Sequence, residues 1–370
     1  MRAGAALAGL FPLLGGCSAV VLNPSGDVAS QQADLVIIAT VLMLLIIVPV
    51  MTLTVLFARK YRASNTEAEY EPDWEHSTQL ELVIWSAPLL IIIALGAVTW
   101  TGTHKLDPYH PIDRLSAGKP VPAGVTPLEV DVVAMDWKWL FIYPQYGVAT
   151  VNDLAAPVDR PIRFRLTAST VMTDFYIPAL AGQIYAMPSM ETQLNAVINK
   201  PGVYDGFNAN YSGDGFNWMK FKFHGLSDAG FDQWIGQARD SGKTLDRMGY
   251  LQLDKPSKAV PIMRFGNVAP NLYQLALNNC MKPGTPCVAN QMLKNKATAA
   301  GVNPESAANA TDSAMSAKMA GHGAGAMADS RSDAHTPGPL RGAGLTPPNA
   351  RPDRDVMAEA APEPHAPSSL

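Results

Sequence analysis

Apolar residues in this chain are gathered into three uninterrupted blocks near the N-terminus. The first runs from Ala3 to Gly16, behind Arg2. The second, Leu35 to Ala58, and the third, Leu82 to Thr103, contain no charged residue. About 20 apolar residues suffice for a helix to cross a bilayer, so two spans are predicted, over 35–58 and 80–103. Pro49 and Pro88 fall inside them, which membrane helices tolerate better than soluble ones. Trp85 and Trp100 lie toward the two ends of the third block, where interfacial aromatics collect.

From about Val125 the period changes to two. Leu128, Val130 and Val132 alternate with Glu129 and Asp131; Ile162, Phe164 and Leu166 alternate with Arg163 and Arg165; Met219, Phe221 and Phe223 alternate with Lys220 and Lys222. Such alternation marks strands with one buried face. Gly and Pro punctuate the intervals, as at Pro144, Gly147, Pro188 and Pro201. The pattern predicts an antiparallel β-sandwich or barrel over 125–226. Ser227 can cap a following helix through Phe231, Trp234, Ile235 and Ala238, and a weaker helical stretch follows over Leu272 to Asn278. These make a helical and aromatic extension over 227–295. From 296 to 370 the chain turns to Ala, Gly, Ser and Pro without periodicity and reads as a disordered tail. The fold class is thus an α+β membrane protein: a two-helix transmembrane hairpin, a β-sandwich, short C-terminal helices and a tail.

Charge orients this architecture. The formal net charge is −4 and charged residues are 16% of the chain, with no basic run suited to nucleic acid. No Lys or Arg lies between Cys17 and Asp34, whereas Arg59, Lys60 and Arg62 follow the second block directly. The positive-inside rule places the loop 59–79 in the cytoplasm. The segment 17–34 and everything after His104 then face the periplasm. Residues 1–16 read as a secretory signal. Leu14-Gly15-Gly16-Cys17 resembles the bacterial lipobox, which implies an S-diacylglycerol and an N-acyl group on Cys17. Cys280 and Cys287 would sit in an oxidising compartment, where their separation permits a disulfide without requiring one.

Several stretches, in order, resemble subunit II of the haem–copper oxidases. They are Phe57 to Asn65, Met135-Asp-Trp-Lys-Trp139 with Phe141-Ile-Tyr-Pro144, Gln183 to Met187, and Tyr211 to Phe216. The similarity spans about residues 14–280 and is greatest to the quinol-oxidising, bo-type branch. It implies a cupredoxin-like fold for the β-domain.

In the branch that oxidises cytochrome c, that domain holds two coppers. An upstream His and a loop of form C-x-E-x-C-x-x-x-H-x-x-M supply the ligands. Aligned on Met219, those positions here read Thr173, Asn208, Asn210, Ser212 and Phe216, and only Met219 is retained. One thioether cannot hold two coppers against water. No Cys lies between Cys17 and Cys280, and His224 is the domain's one His, so a shift of register does not restore the site.

The resemblance therefore implies a chain without a cofactor or catalytic residue of its own. Electrons would reach subunit I from membrane quinol. That subunit would carry the haems and copper, reduce dioxygen to water and pump protons. The partners implied are subunits I, III and IV and membrane lipid. Trp137 and Trp139 would serve packing or a subunit contact. Two rivals stand beside this reading: a cytochrome c oxidase subunit II with intact copper, and a membrane-tethered assembly or binding protein.

Overall fold

The structure, a computed structural model, describes residues 20–69 and 73–299. The signal segment 1–16, Cys17 and residues 300–370 lie outside the described residues.

Two long helices come first, α1 (Asp27–Lys60) and α2 (Thr78–Lys105). Their most apolar stretches have mean hydropathies of 2.9 and 2.4, and none of either stretch is buried within the protein. Leu45 and Leu90 stand 59% and 66% exposed. A helix that is apolar on every side and packs on little protein is at home in lipid. The chain thus has the architecture of an inner-membrane protein with two spans.

Helix α1 starts at Asp27 rather than at Leu35, where its hydropathy begins. Hydropathy cannot detect this polar overhang, because protein contacts rather than lipid hold it. Asp27 is 7% exposed and accepts hydrogen bonds from Arg114 Nε at 2.9 Å, Arg114 NH2 at 3.2 Å and Gln31 Nε2 at 2.8 Å. Just before it, the amides of Ser25 and Gly26 both donate to the Ala179 carbonyl. A Cβ on Gly26 would come within 2.6 and 2.7 Å of two backbone oxygens, those of Leu180 and Val197. Only glycine allows so close an approach.

After the spans, a small hairpin forms from β1 (Arg114–Ser116) and β2 (Lys119–Pro120). The sandwich strands are β3 (Leu128–Met135), β4 (Lys138–Tyr143), β5 (Val148–Val151), β6 (Asp153–Pro157), β7 (Ile162–Ala168) and β8 (Thr173–Tyr176). They continue with β9 (Ile184–Ala186), β10 (Thr192–Ala196), β11 (Gly202–Asn208) and β12 (Lys220–Leu226). Helix α3 (Asp228–Arg239) follows, with Ser227 Oγ capping it by accepting from the Gly230 amide. Then come β13 (Thr244–Leu245), α4 (Arg247–Leu253), β14 (Met263–Phe265), β15 (Asn267–Val268), α5 (Leu272–Leu277) and α6 (Val288–Ala299). Residues 296–299 therefore belong to a helix, not to the tail expected from composition.

One sheet runs β10-β7-β3-β4-β5-β14 and the other β6-β12-β11-β8-β9. Pairing is antiparallel except between β3 and β7 and between β6 and β12. Between the sheets lies a core rich in aromatic residues, including Trp139, Phe141, Phe164, Phe175, Phe221 and Phe223.

The period-two pattern predicts one buried face per strand, and here the structure differs. In β3 every residue but Glu129 is buried. Val133, Met135, Leu140 and Ile142 on the outer face of the six-stranded sheet are covered by Tyr250, Leu272, Tyr273 and Met281 from the extension. Asp131 is buried by the same cover and paired to Arg165 at 2.7 Å. Burial pushes its carboxyl up to about 7 despite the opposing guanidinium. An acidic residue in an alternating strand reads as exposed, so this second core is not visible in the pattern.

Candidate functional site

The positions that would hold copper in the resembling family converge at one end of the five-stranded sheet. Strand β8 brings Thr173, and β11, paired to it through Asn208 and Phe175, brings Asn208. The connection to β12 then carries Asn210, Ser212, Phe216 and Met219, with a 3-10 turn over Phe216–Trp218.

Asn208 organises the group. It is 6% exposed. Its Oδ1 accepts from the Asp174 amide at 3.1 Å and the Asn210 amide at 3.0 Å. Its Nδ2 donates to Ser212 Oγ at 2.8 Å and points to Met219 Sδ at 3.8 Å. Ser212 Oγ also reaches that sulfur, at 3.9 Å. Thr173 Oγ1 donates to the Val171 carbonyl at 3.3 Å. Phe216 turns its ring onto Tyr211, with centroids 5.0 Å apart. The donor set is two amides, two hydroxyls, a phenyl ring and one thioether. These groups are neutral, and most are committed to one another or to backbone. Among the described residues, no group of three His, Cys, Asp or Glu is placed to hold a metal ion.

The two tryptophans play different parts. Trp137 is half-buried beneath the loop. A Cβ on Gly213 would approach its ring to 3.3 Å and one on Gly215 to 2.2 Å, and Gly213 has φ +118°. Small residues are required there for the loop to lie on the indole. Trp139 is fully buried. It meets Phe175 and Phe221 edge-on at 5.3 and 5.8 Å, and its Nε1 donates to the Met219 carbonyl at 3.3 Å. Its side chain is thus part of the packing between the two sheets. Around the loop, Val171, Met172, Tyr211 and Trp218 are exposed, Tyr211 by 72%.

Asp174, next to Thr173, is 1% exposed and its Oδ1 has no hydrogen-bond partner. Burial pushes its carboxyl up to about 6. An acid whose folded pKa is raised contributes most stability below its unfolded value and loses that contribution as pH rises through about 6. Asp174→Asn, which removes the ionisation, is therefore expected to be near neutral at pH 4. At pH 8 it should stabilise by on the order of 2 kcal/mol. Thermal melts at the two pH values measure this, and equal shifts at both would refute the account.

A second polar cluster escapes sequence reasoning. Asp153 on β6 is 1% exposed. It accepts from His224 Nε2 at 2.9 Å, Trp234 Nε1 at 3.2 Å and Arg264 NH2 at 3.0 Å. The four residues come from β6, β12, α3 and β14, and nothing in their spacing announces the meeting.

Comparison with known proteins adds to this geometry. The family described as cytochrome c oxidase subunit II, periplasmic domain, matches residues 143–225. That described as the COX Aromatic Rich Motif matches residues 239–284, the stretch that supplies most of the second core. Cytochrome bo(3) ubiquinol oxidase subunit 2 of Pseudomonas putida is 46% identical over 303 residues, 80% of this chain and 94% of its own length. Ubiquinol oxidase subunit 2 of Acetobacter aceti is 45% identical, covering 70% of this chain and 82% of that one. Among solved structures, the periplasmic domain of cytochrome oxidase subunit II of Bradyrhizobium japonicum covers 33% of this chain and 98% of itself. It does so at 22% identity, with a TM-score of 0.31. On the sequence relatives, this chain belongs to the ubiquinol oxidase subunit 2 family.

Proposed function

We propose that this chain is the copper-free, non-catalytic subunit II of a proton-pumping terminal ubiquinol oxidase. The complex would oxidise ubiquinol and reduce dioxygen to water. The observation that carries the reading is the donor set at Thr173, Asn208, Asn210, Ser212, Phe216 and Met219. A binuclear copper centre needs soft thiolate and imidazole ligands. Here Asn208 and Ser212 engage the one sulfur and each other instead. The loop keeps its shape through neutral hydrogen bonds, and an electron from cytochrome c would find no acceptor in it.

The haems and copper then belong to subunit I, and this chain acts as structure. Its two helices dock on subunit I, with subunits III and IV completing the complex. The exposed rim of Val171, Met172, Tyr211 and Trp218 supplies apolar surface for covering that subunit's periplasmic face. The test is purification of the complex in mild detergent, with metal analysis and a ubiquinol oxidation assay. Copper should match subunit I alone. About two further coppers held by this chain, or quinol oxidation unaffected by its deletion, would overturn the proposal.

Two covalent features belong to the same reading. Cys17 carries the N-acyl and S-diacylglycerol groups that anchor the N-terminus on the periplasmic side. Cys280 and Cys287, seven positions apart, form a disulfide in that oxidising compartment. One mass-spectrometric experiment checks both. The Cys17 peptide should carry three acyl chains, and thiol alkylation at Cys280 and Cys287 should need prior reduction. An unmodified Cys17, or alkylation without reductant, would remove the corresponding feature.

A further inference from the structure

The two loops that carry the exposed rim rest on one hairpin tip. Asp136 and Trp137 turn the chain between β3 and β4, where Met135 pairs with Lys138. Asp136 Oδ1 accepts from Thr170 Oγ1 at 2.5 Å, which ties down the loop of Val171 and Met172. The Trp137 ring lies beneath Gly213 and Gly215, in the loop of Tyr211 and Trp218. We propose that Lys138 is the positioning residue of this surface. It fastens a turn of the C-terminal extension, residues 254–258, to the hairpin tip, and the tip sets both loops for contact with subunit I, a partner that rests on the docking role proposed above.

The choice of residue comes first. Lys138 is 1% exposed, and a buried ammonium is costly unless it is hydrogen-bonded. Burial holds it below the ordinary value of 10.5, with the carboxylates of Asp254 and Asp136 opposing. Methionine would fill similar space without that cost, so the charge has a task beyond packing. Its Nζ donates to the Asp136 carbonyl at 2.7 Å and to the Lys255 carbonyl at 3.1 Å. One carbonyl belongs to the tip and the other to the extension, and a single ammonium bridges them. Hydrogen bonds from a charged donor are about twice as strong as neutral ones.

The backbone repeats the link. The Trp137 amide donates to the Ser257 carbonyl at 3.2 Å, and the Ser257 amide donates to the Asp136 carbonyl at 3.0 Å. Lys258 Nζ also meets Asp214 Oδ2 at 2.5 Å, in the glycine-containing loop itself, but the two side chains are 45% and 79% exposed. Such surface pairs contribute little, so of the two lysines the buried one carries the hold. The extension thereby braces a surface built by other segments.

The test is hydrogen–deuterium exchange of the full chain in mild detergent, together with co-purification of subunit I from the intact complex. Lys138→Met removes the donors and keeps the bulk. Loops 169–172 and 209–218 and the turn 254–258 should exchange about tenfold faster, the worth of one hydrogen bond from a charged group. Strands β7 and β12 should keep wild-type rates, and retention of subunit I should fall. Ser257→Pro removes an amide donor from the other side of the contact and should give the same pattern, which serves as the test where Lys138→Met fails to fold. Faster exchange spread evenly over β7, β12 and the loops would mark a merely structural lysine and overturn the proposal. Loops unchanged in both variants would overturn it too. Freed loops with subunit I fully retained would sink the docking role alone.

Discussion

Trp139→Ala is expected to destabilise the periplasmic domain by roughly 3–5 kcal/mol, the usual cost of deleting a fully buried large aromatic. The indole is 0% exposed and touches both sheets. It lies edge-on to Phe175 and Phe221, which stack on each other at 5.4 Å. Such pairs add about 0.5–1.5 kcal/mol beyond area burial. Its Nε1 also holds the Met219 carbonyl, so the substitution leaves a cavity and a weakened loop end together. Trp139→Phe keeps the ring contacts and loses the hydrogen bond, and should cost only about 1–2 kcal/mol. Trp137→Ala serves as the contrast. That ring is half-buried and its Nε1 has no partner, so its removal should cost about 1 kcal/mol. Thermal or urea unfolding of the chain in detergent, followed by tryptophan fluorescence, gives the ranking. Were Trp137→Ala the costlier change, the aromatic core described here would be wrong.

That contrast shows what a sequence can reveal and where it stops. The two tryptophans are two positions apart in one motif, and no feature of Asp136 to Trp139 separates a core residue from a loop support. The separation comes from Gly213 and Gly215, some eighty positions later in the chain. Features set by local physics were legible: uncharged runs for the spans, alternation for β3, β7 and β12, and a capping serine for α3. The residue types at Thr173, Asn208, Asn210, Ser212, Phe216 and Met219 were legible because they are a matter of identity alone. Features set by distant contacts were not. The overhang of α1 exists because Arg114 and Ala179 hold it. The second core exists because residues 239–284 fold back over β3 and β4, so that Asp131, an apparent surface residue, is buried. The hydrogen bonds of Asn208 follow from the pairing of β8 with β11, which no local pattern encodes.

Asp153→Ala is expected to cost about 3 kcal/mol, because deleting one member of a buried ion pair strands its partner. Arg264 and His224 are 30% and 27% exposed, and water can compensate them in part, which keeps the figure at the lower end of that range. Burial alone would raise the Asp153 carboxyl. Hydrogen bonds and charge from His224 and Arg264 more than offset this and hold it below the ordinary carboxylate range. The sign of the pH dependence follows. A depressed folded pKa contributes stability that is present above the ordinary value of 3.8 and is lost as pH falls through the folded one. The penalty of Asp153→Ala should therefore be full at pH 7 and shrink below about pH 4. Arg264 lies on β14, inside the aromatic-rich stretch, and its guanidinium also covers the Trp234 ring at 5.7 Å. The carboxylate thus clasps the C-terminal extension to the sandwich through one arginine. A double-mutant cycle of Asp153→Ala with Arg264→Gln should give a coupling of about 1–3 kcal/mol. Limited proteolysis of Asp153→Ala should cut first within residues 239–284, where cover over the second core loosens. Additive losses in the cycle, or a penalty that persists unchanged at pH 3, would show that the cluster is a set of independent contacts and not a clasp.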